Sequence, residues 1–257
     1  MKDDRTEPLP VAPALGIALD AARMPRRANL VEPRVLLVCA LAVLLGFAAA
    51  FVAQALVALI ALVTNLAFYG RVSAADVSPA GHALGPWVIV VPVIGGLIVG
   101  AMARWGSRAI RGHGIPEAME QVLRNESRIA PRITFLKPVS SAIAIGTGGP
   151  FGAEGPIIAT GGALGSFLGQ LLHVTAAERK VLLAAGAAAG MTAIFGSPVA
   201  AVVLAVELLL FELRPRSLVP VALATVAAAG VRHWLVGSEP VFAMADIATP
   251  GATALLA

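Results

Sequence analysis

The sequence predicts an all-α polytopic membrane protein whose helices include strongly tilted and broken ones. Hydrophobic residues make up 58% of the 257 residues and charged residues only 13%, roughly half the charged fraction of an average soluble domain. Several charge-free runs exceed the roughly 18 residues that indicate a membrane-spanning helix. Glycines and prolines interrupt the apolar sequence at three places, which predicts that some helices begin inside the membrane.

The chain divides into three segments by composition. Residues 1–34 are polar and arginine-rich, and we expect them to form a cytoplasmic N-terminal segment. Residues 35–236 form the transmembrane part, and residues 237–257 are expected to be a loop and the start of a further apolar helix. Basic residues lie in short loops, which is typical of the cytoplasmic side. The net charge of +4 therefore indicates orientation in a bilayer, here the inner cell membrane, and not nucleic acid binding.

Two long helices are expected first. Residues 35–70 contain neither a charge nor a proline. One continuous helix of that length is roughly 54 Å long, so it must tilt in, or project from, a hydrocarbon core of about 30 Å. A second span covers roughly residues 86–103, and arginines follow it. Since arginines also precede the first span, both ends of this hairpin are predicted to be cytoplasmic.

Shorter and broken helices follow. The segments GHGIP (112–116) and GAEGP (152–156) each introduce a helix, which we predict to begin at Ile115 and at Glu154. Between them residues 135–149 form a short apolar helix. A third break at 196–198 separates two further helices, and a last helix is predicted over residues 218–236. Four glycines give the helix after Glu154 a smooth face for close packing: Gly161, Gly162, Gly165 and Gly169.

The first two breaks predict an anion site. Each exposes free backbone N–H groups and the positive end of a helix dipole, and two such ends that converge in a bilayer would bind an anion. A cation site would instead need carbonyl ends or clustered carboxylates, whereas the apolar regions contain chiefly Glu154 and Glu207. No metal or cofactor is expected besides the bound anion.

Glu154 is predicted to act as a proton-sensitive gate. A carboxylate in the first turn can occupy the anion site itself and leave it when protonated. The alternative is an acidic N-terminal cap, which stabilises a helix by about 0.3–1 kcal/mol. Because carboxylates within the membrane are usually functional, we favour the gate.

The two motifs together resemble those of the CLC chloride channels and transporters. GHGIPE is similar to their GSGIP-type motif, GAEGP is similar to their G(K/R)EGP motif, and AAGAAAGMTAIFGSPVAAVVLAVE looks like the helix pair that follows. The resemblance covers about residues 35–250. It implies a voltage-gated-type chloride channel or transporter, a homodimer in which each subunit has its own anion pathway, and Glu154 as the gating glutamate. The implied anion-binding residues are Gly112, His113, Gly114, Ile115, Pro116, Gly152, Ala153, Gly155 and Pro156.

Three substitutions depart from the family pattern. His113 replaces the usual serine, a position that tunes anion preference, and Ala153 replaces a basic residue. Leu208 stands where proton-antiporting members carry an inner glutamate, which favours passive conduction over tight chloride/proton exchange. The neighbouring Glu207 is expected to be a buried structural carboxylate satisfied by a nearby helix. The resemblance also assigns supporting roles to two charged residues near the motifs: Glu117 and Lys137.

The largest departure is that a second inverted repeat, with its GxFxP motif and tyrosine, does not occur in these 257 residues. We expect the chain to be the first repeat alone, a truncated form that needs the second repeat or a partner chain to conduct. Three other functions stay open: a chloride/proton antiporter, an unrelated broken-helix secondary transporter and a purely structural membrane subunit. An enzyme is disfavoured because neither an HExxH zinc motif nor a G-x-S-x-G turn is present.

Overall fold

The computed structural model describes residues 33–237 apart from His113 and His173, and for Arg108 only the backbone. The predictions for residues 1–32, for residues 238–257 and for His113 therefore lie outside the described residues. The described part contains eight α-helices, labelled in chain order: α1 Pro33–Tyr69, α2 Val90–Ala101, α3 Ile115–Arg124, α4 Ile133–Gly146, α5 Glu154–Leu171, α6 Ala176–Phe195, α7 Pro198–Ala205 and α8 Pro215–Val236.

The prediction of one long first helix is confirmed. α1 runs for 37 residues without a break. At its far end the side-chain amide of Asn65 donates to the carbonyl oxygens of Ala61 at 2.9 Å and of Ala75 at 2.8 Å, so the following loop folds back onto the helix. One face of α1 packs against α6 and α8. Small and branched residues repeat along its buried side at helical spacing: Val38, Ala42, Leu45, Ala49, Ala53 and Leu56.

The second span forms where the sequence predicts it. α2 is extended by a 3₁₀ turn before it and a turn of π-helix after it, and together these cover Gly85–Gly106. Three stretches in the described residues are long and apolar enough to cross a membrane: Pro33–Tyr69, Gly85–Gly106 and Pro215–Val236. Within α2 only Gly95 is buried, where it packs against Thr147. Most of the apolar surface of α2 therefore faces outward, as expected of a helix in lipid.

The predicted helix starts at the glycine and proline breaks are also confirmed. α3 begins at Ile115, α5 begins at Glu154, and α7 restarts at Pro198 after Gly196 ends α6 in a left-handed conformation. Proline is tolerated in the first turn because its missing N–H has no helical partner there. The last helix begins at Pro215, three residues before the predicted start, and there too a proline occupies the first turn.

The predicted glycine face brings α5 and α6 into backbone contact. A Cβ on Gly161 would overlap the carbonyl oxygen of Gly186, and a Cβ on Gly186 would overlap the carbonyl oxygen of Gly161. Gly165 approaches the carbonyl of Leu182 just as closely. Any larger residue would push these helices apart, so small residues fix their separation.

The prediction that Glu207 is buried is wrong. α7 continues as one turn of π-helix, Val206–Leu210, in which Val206, Leu209 and Leu210 are buried while Glu207 is exposed. Residues three and four apart share a helix face, so burial of 206, 209 and 210 turns 207 toward the outside.

Candidate anion site

The N-termini of α3 and α5 touch. Gly114, the residue before α3, has a φ of 99° and lies so close to Gly155 that a Cβ would overlap the carbonyl oxygen of Gly155 and lie 2.7 Å from its carbonyl carbon. Both the left-handed backbone and the lack of space require glycine at 114. The two glycine-proline motifs, which are about forty residues apart in sequence, thus meet in space.

Free backbone donors cluster at this contact. The first helical bond near the start of α3 runs from the N–H of Ala118 to the carbonyl of Gly114 at 3.0 Å. The corresponding bond in α5 runs from the N–H of Ile157 to the carbonyl of Ala153 at 3.0 Å. Amide groups that precede these donors have no carbonyl partner within their own helix. Two sets of N–H groups and two positive dipole ends are therefore adjacent, which suits an anion.

A cavity of about 700 Å³ opens beside the two helix starts. The first motif contributes Gly112, Ile115 and Pro116 to its wall. The second motif contributes Gly152, Glu154, Gly155 and Pro156, and Lys137 of α4 completes the set of predicted residues that line it.

The remaining predicted residues lie elsewhere. Gly114 is buried at the helix contact, and Ala153 is half-buried just before α5. Glu117 lines a smaller cavity of about 230 Å³ beneath α3, together with Gly114 and Lys137. Glu207, exposed on the π turn that follows α7, is not brought to either cavity.

The side chain of Glu154 is exposed and folds back along the chain. Its carboxylate occupies the space that a Cβ on Gly152 would fill. Among the described residues, no donor makes a hydrogen bond to this carboxylate. Within the described part of the chain, this carboxyl group at the positive end of α5 therefore has no hydrogen bond that would hold it in place against a competing anion.

Glu117 caps α3. Its Oε2 accepts a hydrogen bond from the N–H of Gly114 at 2.7 Å. Its Oε1 lies where a Cβ on Gly112 would be, and the φ of 97° at Gly112 also favours glycine. The carboxylate thus fixes the loop that enters α3 and uses one of the N–H groups that an anion could otherwise bind.

Lys137 fixes the same loop from the other side. The side chain is buried, and its Nζ donates to the carbonyl oxygens of Ile110 and Gly112, each at 2.9 Å. Through these bonds the ammonium group fixes the positions of the two carbonyl groups. Lys137 also places a positive charge in the wall of the larger cavity. A buried cation beside two helix N-termini strengthens the positive potential there.

Two residues outside the predicted set, Ser140 and Ser141, also line the larger cavity. With Lys137 and Ala144 they form one face of α4, at spacings of three, four and seven residues. That spacing could have revealed them, because a helix that presents Lys137 to a cavity also presents its neighbours three and four residues on. The Ser140 hydroxyl already donates to the carbonyl oxygen of Lys137 at 3.0 Å, so the Ser141 hydroxyl is the donor that this pair can offer to the cavity.

Comparisons with known proteins show which family the chain is similar to. The sequence profile of the family described as "Voltage gated chloride channel" matches residues 95–257. The "Voltage-gated ClC-type chloride channel ClcB" of Citrobacter koseri is 30% identical over 160 residues, which cover 61% of this chain and 38% of that protein. The "H(+)/Cl(-) exchange transporter ClcA" of Vibrio campbellii is 31% identical over 188 residues, which cover 67% of this chain and 38% of that protein.

The fold has a counterpart among solved structures. The crystal structure of a slow cyanobacterial Cl⁻/H⁺ antiporter superposes with a TM-score of 0.65 at 21% identity, and the match covers 84% of this chain and 50% of that one. This likeness confirms the predicted helical membrane fold. The matched part of the chain corresponds to 38% of the length of each of the two relatives above.

Proposed function

Because this chain belongs to the family of voltage gated chloride channels, we propose that it forms one wall of a pathway that moves chloride, or a similar small anion, across a membrane. The contact between the N-termini of α3 and α5 carries this proposal. It places free amide groups from two motifs beside a cavity of about 700 Å³. The lining is neutral or positive except for Glu154.

A monovalent anion would be bound chiefly by backbone. The amides at the starts of α3 and α5 donate to it, and the ammonium of Lys137, which also lines the cavity, attracts it. Because neutral dipoles carry most of the interaction, the anion is held without a full ion pair and can leave again, which conduction requires. This weak, distributed binding suits a permeation pathway better than a storage site.

Glu154 gates the pathway in this proposal. Its carboxylate competes with the anion for the same positive helix end, and protonation removes that competition. The lack of a described hydrogen-bond donor to the carboxylate supports a side chain that can move.

Passive conduction is the transport mode that we propose. Coupled exchange of protons would need a second acidic group on the inner side. The residue at the corresponding position is Leu208, which is half-buried, and the neighbouring Glu207 is exposed. We further propose that the protein works as a homodimer in the inner cell membrane, with the arginine-bearing start of α1 in the cytoplasm.

Calorimetric titration of the purified 257-residue chain with chloride tests this function. The wild-type protein should bind chloride, and Glu154→Gln should bind it about tenfold more tightly because the internal competitor has lost its charge. Wild-type affinity should also rise as the pH falls, whereas the affinity of the glutamine variant should not depend on pH. Equal chloride affinity and equal pH dependence in both proteins would contradict the gate.

A further inference from the structure

A second polar cavity, of about 360 Å³, lies apart from the anion site. It opens between the loop that follows α3, the last turn of α5 and the first turn of α6. Arg128, Gln170, Val174 and Arg179 line it. None of these residues takes part in the proposed anion pathway, so the function described above does not explain two arginines in one cleft.

Among the residues that the structure describes, the charges around this cleft are not balanced. The side chain of Arg179 is only 5% exposed. Its Nε donates to the backbone carbonyl of Glu126 at 2.9 Å, but its Nη2 lies 3.5 Å from the carboxylate of Glu126. Arg128 contacts the same carboxylate at 3.4 Å, and that carboxylate is 64% exposed. Two guanidinium groups thus share one loosely held carboxylate, and a buried cation without a close counterion is unfavourable.

Hydrogen bonds tie the loop that presents Arg128 to α5. The hydroxyl of Ser166 donates to the carbonyl of Ser127 at 2.6 Å and accepts from the N–H of Ile129 at 2.9 Å. Glu126 and Ser127 have φ values of 49° and 61°, a left-handed conformation that costs free energy for residues other than glycine. The loop is therefore held in one shape before any ligand arrives, which lowers the entropy cost of binding.

The position of the cleft relative to the membrane follows from its neighbours. Glu178, next to Arg179 in sequence, accepts hydrogen bonds from Arg34 at 2.7 and 3.0 Å. Arg34 lies at the start of α1, which the distribution of basic residues assigns to the cytoplasm. The cleft therefore faces the cytoplasmic surface, where anionic lipid headgroups and soluble phosphates are both available.

We propose that this cleft binds a phosphate group, with Arg128 and Arg179 as its ligands. Guanidinium groups form paired, charge-assisted hydrogen bonds with phosphate oxygens, which the single carboxylate of Glu126 cannot supply to both arginines at once. Phosphate displaces this carboxylate and balances the charge of the buried Arg179. The phosphate belongs either to the headgroup of an anionic lipid or to a soluble molecule, and the two sources share this chemistry.

Binding measurements on the purified 257-residue chain test the proposal. One arm titrates inorganic phosphate by calorimetry, and the other detects adducts of short-chain phosphatidylglycerol by native mass spectrometry. Arg128→Gln should weaken binding about 10- to 100-fold, since it removes a charged hydrogen-bond donor. Glu126→Gln should strengthen binding, because it removes the competing carboxylate. Binding in the first arm alone supports a soluble phosphate, and binding in the second alone supports a lipid headgroup.

Arg124→Gln is the matched control. Arg124 is also exposed and also pairs with a glutamate, Glu120 at 3.1 Å, but it does not line the cleft. It should leave binding unchanged. The proposal is overturned if neither probe binds, if Arg124→Gln weakens binding as much as Arg128→Gln, or if Glu126→Gln weakens it.

Discussion

At the residue scale, Gly152 determines where the Glu154 carboxylate rests. The carboxylate fills the space of a missing Cβ, and Gly152 does not have the positive φ that would exclude alanine. Gly152→Ala should therefore displace the flexible carboxylate at little cost in stability. Chloride affinity should rise by about two- to tenfold, since the competitor no longer holds its position.

Calorimetric titration with chloride checks the effect of Gly152→Ala. The matched control is Gly96→Ala, on α2, where a Cβ would meet no atom within 4 Å. If Gly152→Ala bound chloride with wild-type affinity while Glu154→Gln bound it more tightly, Gly152 would not position the gate.

Lys137 should matter for both stability and binding. Lys137→Met leaves the buried carbonyl of Ile110 and the part-buried carbonyl of Gly112 without their donor, and an unsatisfied buried group costs about 1–3 kcal/mol. It also removes the positive charge from the cavity wall, so chloride affinity should fall. Thermal unfolding and chloride titration measure the two effects.

Lys180 offers a control for the loss of a buried lysine. Its Nζ donates to the carbonyl of Leu210 at 3.0 Å and lies 3.6 Å from Glu212, away from the anion cavity. Lys180→Met should lower the melting temperature in a similar way but leave chloride binding intact. An equal loss of chloride affinity in both variants would mean that Lys137 acts only through stability.

At the element scale, the separation of α3 and α5 depends on Gly114. Gly114→Ala would force a left-handed backbone on alanine and press its Cβ into the carbonyl of Gly155, a backbone atom that cannot move alone. Strained backbone of this kind costs about 1–3 kcal/mol before the clash is counted. Both the melting temperature and chloride affinity should fall.

Gly230→Ala is the control for Gly114→Ala. It lies within α8, where a Cβ meets no atom within 4 Å, so alanine should raise the melting temperature slightly through its higher helix propensity. If Gly114→Ala were as stable and bound chloride as well as the wild type, the close contact of the helix starts would not be needed.

The helix starts could be predicted from sequence because their signals are local. Glycine and proline mark the starts at Ile115, Glu154 and Pro198, and each helix begins there. Contacts between elements could not be predicted in the same way. The bonds from Lys137 to the loop before α3 join residues 25 and 27 positions apart, and their geometry depends on how α4 packs. Glu207 was misassigned because the sequence does not show which face of this segment packs against its neighbours, and burial of Val206, Leu209 and Leu210 turns position 207 outward.

At the scale of the whole molecule, the packing separates two kinds of surface. Small residues join α1, α5, α6 and α8 through close backbone contacts. Large apolar side chains instead point outward from α1, α2 and α8, as for surfaces in contact with lipid or with further protein. The composition of the sequence predicts the membrane environment, whereas the position of the cavity depends on the three-dimensional arrangement of α3, α4 and α5.

Locating a bound halide by anomalous X-ray scattering tests the central claim most directly. Crystals of the Glu154→Gln chain grown with bromide should show a bromide peak in the cavity between the starts of α3 and α5, within hydrogen-bonding distance of their free amides. Glutamine is chosen because it removes the competing charge and keeps the shape of the side chain. If bromide peaks appeared only elsewhere and none lay in this cavity, the proposed anion site would be contradicted.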